Sequence, residues 1–201
     1  MLDAVRRYYS GKVVEHGPNA RGVDWNDAGS QELRFEQLLK VVDPAKRFTI
    51  NDYGCGYGAL AEHLAERGYD FAYTGYDISP EMVERARSLH PHRFVARDAE
   101  LVPADYTVAS GIFNVKLEAP VNEWEAHTLR TLTRLDELST RGFAFNMLTS
   151  YSDPDRMRHD LYYPDPRDMF DHCKRAYSRW VALLHDYGLY EFTILVRKDA
   201  T

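Results

Sequence analysis

Three glycines at alternating positions, Gly54, Gly56 and Gly58, stand between the run FTINDY and the run ALAEHLAERG. The first is six residues long, with apolar Phe48 and Ile50 in alternation, which predicts a strand. The second repeats its apolar residues at helical spacing and closes at Gly68, which predicts a helix. A strand that passes through a glycine turn straight into a helix commits the chain to crossover connections, and these bury a parallel sheet under helices on both faces. Glycine in the turn allows backbone angles and a close ligand approach that a Cβ would obstruct.

The same alternation continues downstream. FAYTGYD, RFVARDA, TVASGIF and GFAFNMLTS read as the second to fifth strands. SPEMVERARSLH reads as a helix with Ser79 as its N-cap and Pro80 at the first helical position. A longer helix spans about residues 121–139, with Trp124, Thr128, Leu132 and Leu135 facing the sheet and His127 expected on the outer side. Two apolar runs near the end, broken at residues 186–188, form a hairpin that leaves the last strand antiparallel in an otherwise parallel sheet. Upstream, residues 31–42 predict a helix capped by Ser30 and stopped by Pro44, and residues 1–30 a short helix followed by an irregular arm. The expected fold is therefore α/β, a Rossmann-like three-layer sandwich around a mostly parallel sheet, over residues 48–201, with residues 1–47 as a helical arm or cap. Residues 151–166 are too aromatic for a plain linker and are expected to form a functional loop.

Charge removes some partners. The 201 residues carry a net charge of −6. The first 47 have a net +1, so the acidity lies in the α/β body, which argues against a nucleic acid partner. Two cysteines, Cys55 and Cys173, make no disulfide framework. With no signal-like apolar stretch at the start and no 18-residue apolar run, the expectation is a cytoplasmic protein without a membrane span.

Chemistry concentrates at the strand ends. A dinucleotide turn is spaced G-x-G-x-x-G, whereas this one is G-x-G-x-G, and no Gly-Lys-Ser or Gly-Lys-Thr of a P-loop follows. Asp52, two positions before the first glycine, suits a ligand ammonium better than a pyrophosphate. Asp77 ends FAYTGYD, where a carboxylate can accept both hydroxyls of a ribose, although capping the next helix is an alternative role. Ile78 can lie against a flat base. Asp98 can accept from an exocyclic amine while the Ala99 N–H donates to a ring nitrogen.

NDYGCGYG, YTGYDIS, RDAE and VASGIFN, in that order, resemble the class I S-adenosylmethionine-dependent methyltransferases over about residues 48–197. The resemblance implies a seven-stranded sheet with an antiparallel last strand and S-adenosylmethionine as cofactor. It implies a cofactor site made of Asp52, Tyr53, Gly54, Cys55, Gly56, Gly58, Asp77, Ile78, Met82, Asp98, Ala99, Ser110 and Gly111. Asp52, with the Tyr53 and Gly54 backbone, would hold the methionine end, Asp77 the ribose and Asp98 with Ala99 the adenine edge. Ser110 and Gly111 would lie beneath the methyl group. Tyr8 and Tyr9 of the arm would fold over the cofactor, Trp25 would sit against the acceptor, and Arg34 would reach the cofactor carboxylate.

For the acceptor, the sequence offers His159, Tyr163 and Asn114 as catalytic candidates, with Asp160, Lys116 and Glu118 nearby and residues 151–166 as an acceptor-side loop. The fourth strand lacks the Asp/Asn-Pro-Pro-Tyr and Pro-Cys sequences associated with amide, adenine and cytosine methylation. A small-molecule acceptor methylated on oxygen or nitrogen by direct in-line displacement, without a metal, is the expectation, and monomer or homodimer stays open. A noncatalytic cofactor-binding or protein-interaction module and an NAD-dependent Rossmann enzyme are the alternatives.

Overall fold

The computed structural model describes residues 2–16 and 28–198. Thirteen elements alternate along them. Helices α1 (Leu2–His16) and α2 (Ala28–Leu39) precede β1 (Phe48–Tyr53), α3 (Ala59–Glu66), β2 (Phe71–Tyr76), α4 (Pro80–Leu89) and β3 (Arg93–Val95). After these come β4 (Ala104–Ala109), α5 (Val121–Glu137), β5 (Ser139–Leu148), α6 (Pro166–Ala176), β6 (Trp180–Leu184) and β7 (Glu191–Arg197).

The seven strands form one sheet in the order β3-β2-β1-β4-β5-β7-β6. Only β7 runs against its neighbours, pairing antiparallel with β5 and with β6. Strand order reverses between β1 and β4, so the chain leaves them in opposite directions and opens a crevice at their carboxyl ends, where open α/β sheets bind ligands.

Period-two alternation divides the core into two layers. Phe143, Phe145 and Met147 of β5 point to the α5 and α6 side, joined by Trp124, Leu132 and Leu135, while Ala144 points to the opposite layer. That layer is built from Phe35 and Leu38 of α2, Leu60 and Leu64 of α3 and Val83 and Ala86 of α4. Both cysteines are buried and unpaired with each other. Among the described residues no helix is long and apolar enough to cross a membrane.

Some boundaries differ from expectation. β3 stops at Val95 because Asp98–Glu100 coils into a 3-10 turn, and β4 leaves the sheet at Ala109, where its partner β1 also ends. α2 begins at Ala28, so Ser30 is inside the helix and gives its carbonyl to Arg34 instead of capping. The first helix is not short but covers 15 residues. Trp25 lies outside the described residues.

Candidate active site

The glycine turn is strapped to the end of β2. Gly54 N and Cys55 N both donate to the Tyr76 carbonyl, at 2.7 and 2.8 Å, and Gly56 N donates to Asp77 Oδ2 at 2.9 Å. Asp77 Oδ1 accepts from Ser79 N at 2.8 Å, and Ser79 Oγ caps α4 through Met82 N. One carboxylate therefore ties the first turn to the next helix, as the capping alternative foresaw in part. The turn itself is accessible only to glycine: Gly54, Gly56 and Gly58 have φ of +87, +54 and +91°, and a Cβ on Gly54 would lie 2.2 Å from Ile112 Cγ2.

Two buried acids face this turn. Burial pushes Asp52 up to about 7, against the lowering effect of the Tyr73 hydroxyl that donates to Oδ2 at 2.7 Å, and the neighbouring Asp77 charge raises it further. Burial likewise pushes Asp77 up to about 6, against the two backbone N–H groups that donate to it. Each is costly to ionise without a positive or hydrogen-bond-donating partner.

A cleft opens above them. It is lined by Asp52, Tyr53, Gly54, Cys55 and Gly56 of the turn, by Asp77, Ile78 and Met82 beyond β2, and by Ser110, Gly111 and Ile112 beyond β4. Helix α1 covers it with Leu2, Val5 and Tyr9 and is held to α4 by Ser10 Oγ, which donates to Glu81 at 2.7 Å. Gln31 and Phe35 come from α2, and Trp124, His127 and Thr131 from α5.

Several expected residues are elsewhere. Arg34 does not reach the cleft: its Nε and Nη2 donate to Glu191 at 2.9 and 2.8 Å, in the interior. Asp98 is held by Arg134 Nε at 3.0 Å, because the early end of β3 turns it toward α5, and neither it nor Ala99 lines the cleft. Gly58 caps α3. Asn114 is buried, its Oδ1 accepting from Leu148 N at 3.0 Å. His159 is exposed and paired with Glu118 at 3.6 Å, and the Tyr163 hydroxyl accepts from Arg158 N. The 151–166 loop is pinned to the chain after β4, with a bridge between Val115 and Leu161 and Tyr162 N donating to the Asn114 carbonyl at 2.9 Å. It does not line the cleft.

His127 reverses its expected position, since it lines the cleft with its ring 5.3 Å from that of Trp124. Burial, and then the Arg130 charge, lowers its pKa, which favours the neutral imidazole. Only its three- and four-residue spacing from Trp124 and Thr131 hinted at a shared face.

The residues fit S-adenosylmethionine on a feature of their own geometry. Ser110 Oγ is buried at the cleft and has no hydrogen-bond partner among the described residues, a donor and acceptor left for a ligand. It shares the cleft with a glycine-rich turn and with two acids able to receive an ammonium and a pair of hydroxyls. A family model described as a methyltransferase domain matches residues 50–135. A Mycobacterium tuberculosis (H37Rv) protein named as a methyltransferase is 57% identical over 168 residues, 80% of this chain and 99% of its own length. The chain belongs to the class I S-adenosylmethionine-dependent methyltransferases.

This methyltransferase is also 32% identical over 86 residues to the N-demethylindolmycin N-methyltransferase of Streptomyces griseus, 43% of this chain and 36% of that one. Its fold matches the Burkholderia thailandensis 1,6-didemethyltoxoflavin-N1-methyltransferase with a TM-score of 0.66 at 18% identity, over 99% of this chain and 89% of the other. Family membership removes the NAD-dependent alternative and the noncatalytic one. The methyltransferase uses S-adenosylmethionine, whose sulfonium supplies a methyl group already activated for attack.

Proposed function

We propose that this methyltransferase methylates a nitrogen or oxygen of a small, largely apolar acceptor, bound between α1 and α5. The observation that carries the reading is the character of the cleft. Apart from the cofactor turn its described walls include Leu2, Val5, Tyr9, Phe35, Ile112 and Trp124 beside the polar Gln31, His127 and Thr131, and among the described residues that line it none is Lys or Arg. Carboxylate-rich acceptors are normally clamped by such cations, whereas a flat apolar molecule gains from aromatic walls. The N-demethylindolmycin N-methyltransferase acts, by its printed name, on a small molecule, which supports that size of acceptor.

The residues' task is to hold the acceptor lone pair in line with the methyl and to keep water out. His127 is placed to take the proton that leaves the acceptor, because its neutral imidazole has a free acceptor capacity and its half-exposed ring can pass the proton to solvent. Labelled-methyl transfer measured on paired panels tests the reading: aromatic amines and phenols are expected to be methylated and polycarboxylates such as citrate are not. Turnover confined to the polycarboxylates would overturn it. His127→Gln is expected to lower turnover by about 10²-fold or more and to leave S-adenosylhomocysteine affinity unchanged. An equal loss in affinity would place His127 on the cofactor instead.

A further inference from the structure

Behind the Ser110–Gly111 wall of the cleft runs a buried polar chain that methyl transfer itself does not require. Glu191 opens β7 and is 1% exposed. The Arg34 guanidinium grips both of its oxygens, Nε to Oε2 at 2.9 Å and Nη2 to Oε1 at 2.8 Å, while Nη1 donates to the Ser30 carbonyl within α2. Asn146 of β5, fully buried, donates Nδ2 to Glu191 Oε2 at 2.9 Å and accepts at Oδ1 from Gly111 N at 2.7 Å. Asn114 Nδ2 makes a longer contact to Oε1, at 3.4 Å.

The direction of each bond follows from its neighbour. A carboxylate only accepts, so Glu191 draws the amide NH₂ of Asn146 to itself and leaves Oδ1 facing Gly111. The Arg34 fork balances a charge that would otherwise be buried without a partner. Gly111 has φ of +72°, and a glycine peptide is the one most free to turn, so its N–H direction is set by what receives it. The adjoining Ser110 carries the unpartnered hydroxyl of the cleft.

We propose that Arg34, Glu191 and Asn146 are positioning residues for the cofactor: the docking of α2 orients the Glu191 carboxylate, this orients the Asn146 amide, and the amide fixes the Gly111 N–H and the Ser110 wall. The chain joins residues 157 positions apart and ties the upstream helix, whose Gln31 and Phe35 line the cleft, to the Ser110–Gly111 wall from behind. It does not depend on the identity of the acceptor.

Two asparagines on one carboxylate make the test internal. Both Asn114 and Asn146 contact Glu191, but of the two side chains only that of Asn146 meets the cleft wall, since Asn114 reaches the Gly111 carbonyl through its backbone N–H, which alanine keeps. In the full chain, Asn146→Ala is expected to weaken S-adenosylhomocysteine binding about tenfold, the loss of one well-aligned hydrogen bond, and to speed hydrogen exchange at the Gly111 amide. Asn114→Ala is expected to lower unfolding stability comparably and to change that affinity less than about twofold. Arg34→Lys, which keeps the charge but not the fork, is expected to give an intermediate Gly111 amide shift and affinity. Equal affinity losses in the two asparagine variants would overturn the relay, as would a wild-type Gly111 amide signal and affinity in both Asn146→Ala and Arg34→Lys.

Discussion

Gly54 and Asp77 show how little freedom single positions have in the turn. A side chain on Gly54 meets Ile112 Cγ2 at 2.2 Å and forces an L-residue to φ of +87°. Gly54→Ala is therefore expected to cost about 1–2 kcal/mol from backbone conformation alone and to abolish measurable cofactor binding as Ile112 is displaced. Chemical denaturation and calorimetry check the two effects, and normal affinity would refute the packing of the turn. Asp77→Ala removes the acceptor for Gly56 N and Ser79 N together with the proposed ribose acceptor. The expected loss of S-adenosylhomocysteine affinity is about 1–3 kcal/mol, and a change below about 0.3 kcal/mol in a folded variant would take Asp77 out of the site.

At the scale of elements, α1 is a cover and α2 a support. Leu2, Val5 and Tyr9 line the cleft, and Ser10 reaches across to Glu81 at the start of α4, whereas most of the apolar core lies in the layers on either face of the sheet. Removing residues 1–11 is expected to leave a cooperatively folding domain from which S-adenosylhomocysteine dissociates at least about tenfold faster, because the bound ligand regains contact with water. Stopped-flow displacement measures this. An unchanged dissociation rate would mean that α1 stands beside the ligand and does not close over it. The 151–166 loop, by contrast, is stitched to residues 114–117 by backbone hydrogen bonds and is an anchored corner of the fold.

For the molecule as a whole, the two raised carboxyls make ligand binding and pH interdependent. Asp52 and Asp77 hold their protons more tightly in the folded state than in the unfolded chain, so their contribution to stability falls as pH rises from about 4 through 6 and 7. His63, His92 and His127, whose values burial lowers, push the other way below the ordinary histidine value of 6.5. The difference between wild type and Asp52→Asn isolates the carboxyl: the variant's relative stability is expected to improve from pH 5 to pH 8. A gap that narrows in the opposite sense over this range would contradict the burial of an ionised Asp52. In the wild type, an ammonium placed against Asp52 favours the ionised form, so S-adenosylhomocysteine binding near pH 6 is expected to release protons, measurable in buffers of different ionisation enthalpy.

What the sequence determined by itself is the part written in short windows. The glycine turn, the strand and helix periods, the Ser79 cap and the acids at the ends of β1 and β2 each lie within about twenty residues, and their order yields the sheet and the cofactor class. Tertiary structure alone decided which polar side chains meet. The charge of Arg34 was legible but its partner was not, since Glu191 arrives on the antiparallel last strand. His127 reads as an outer residue along α5 until α1 and the chain after β4 form a wall against it, and the His159 loop looks functional until backbone pairing fixes it away from the cleft. Local sequence sets conformational preference, but desolvation and hydrogen-bond satisfaction are settled by neighbours distant in the chain, and these two terms place the walls of the cleft.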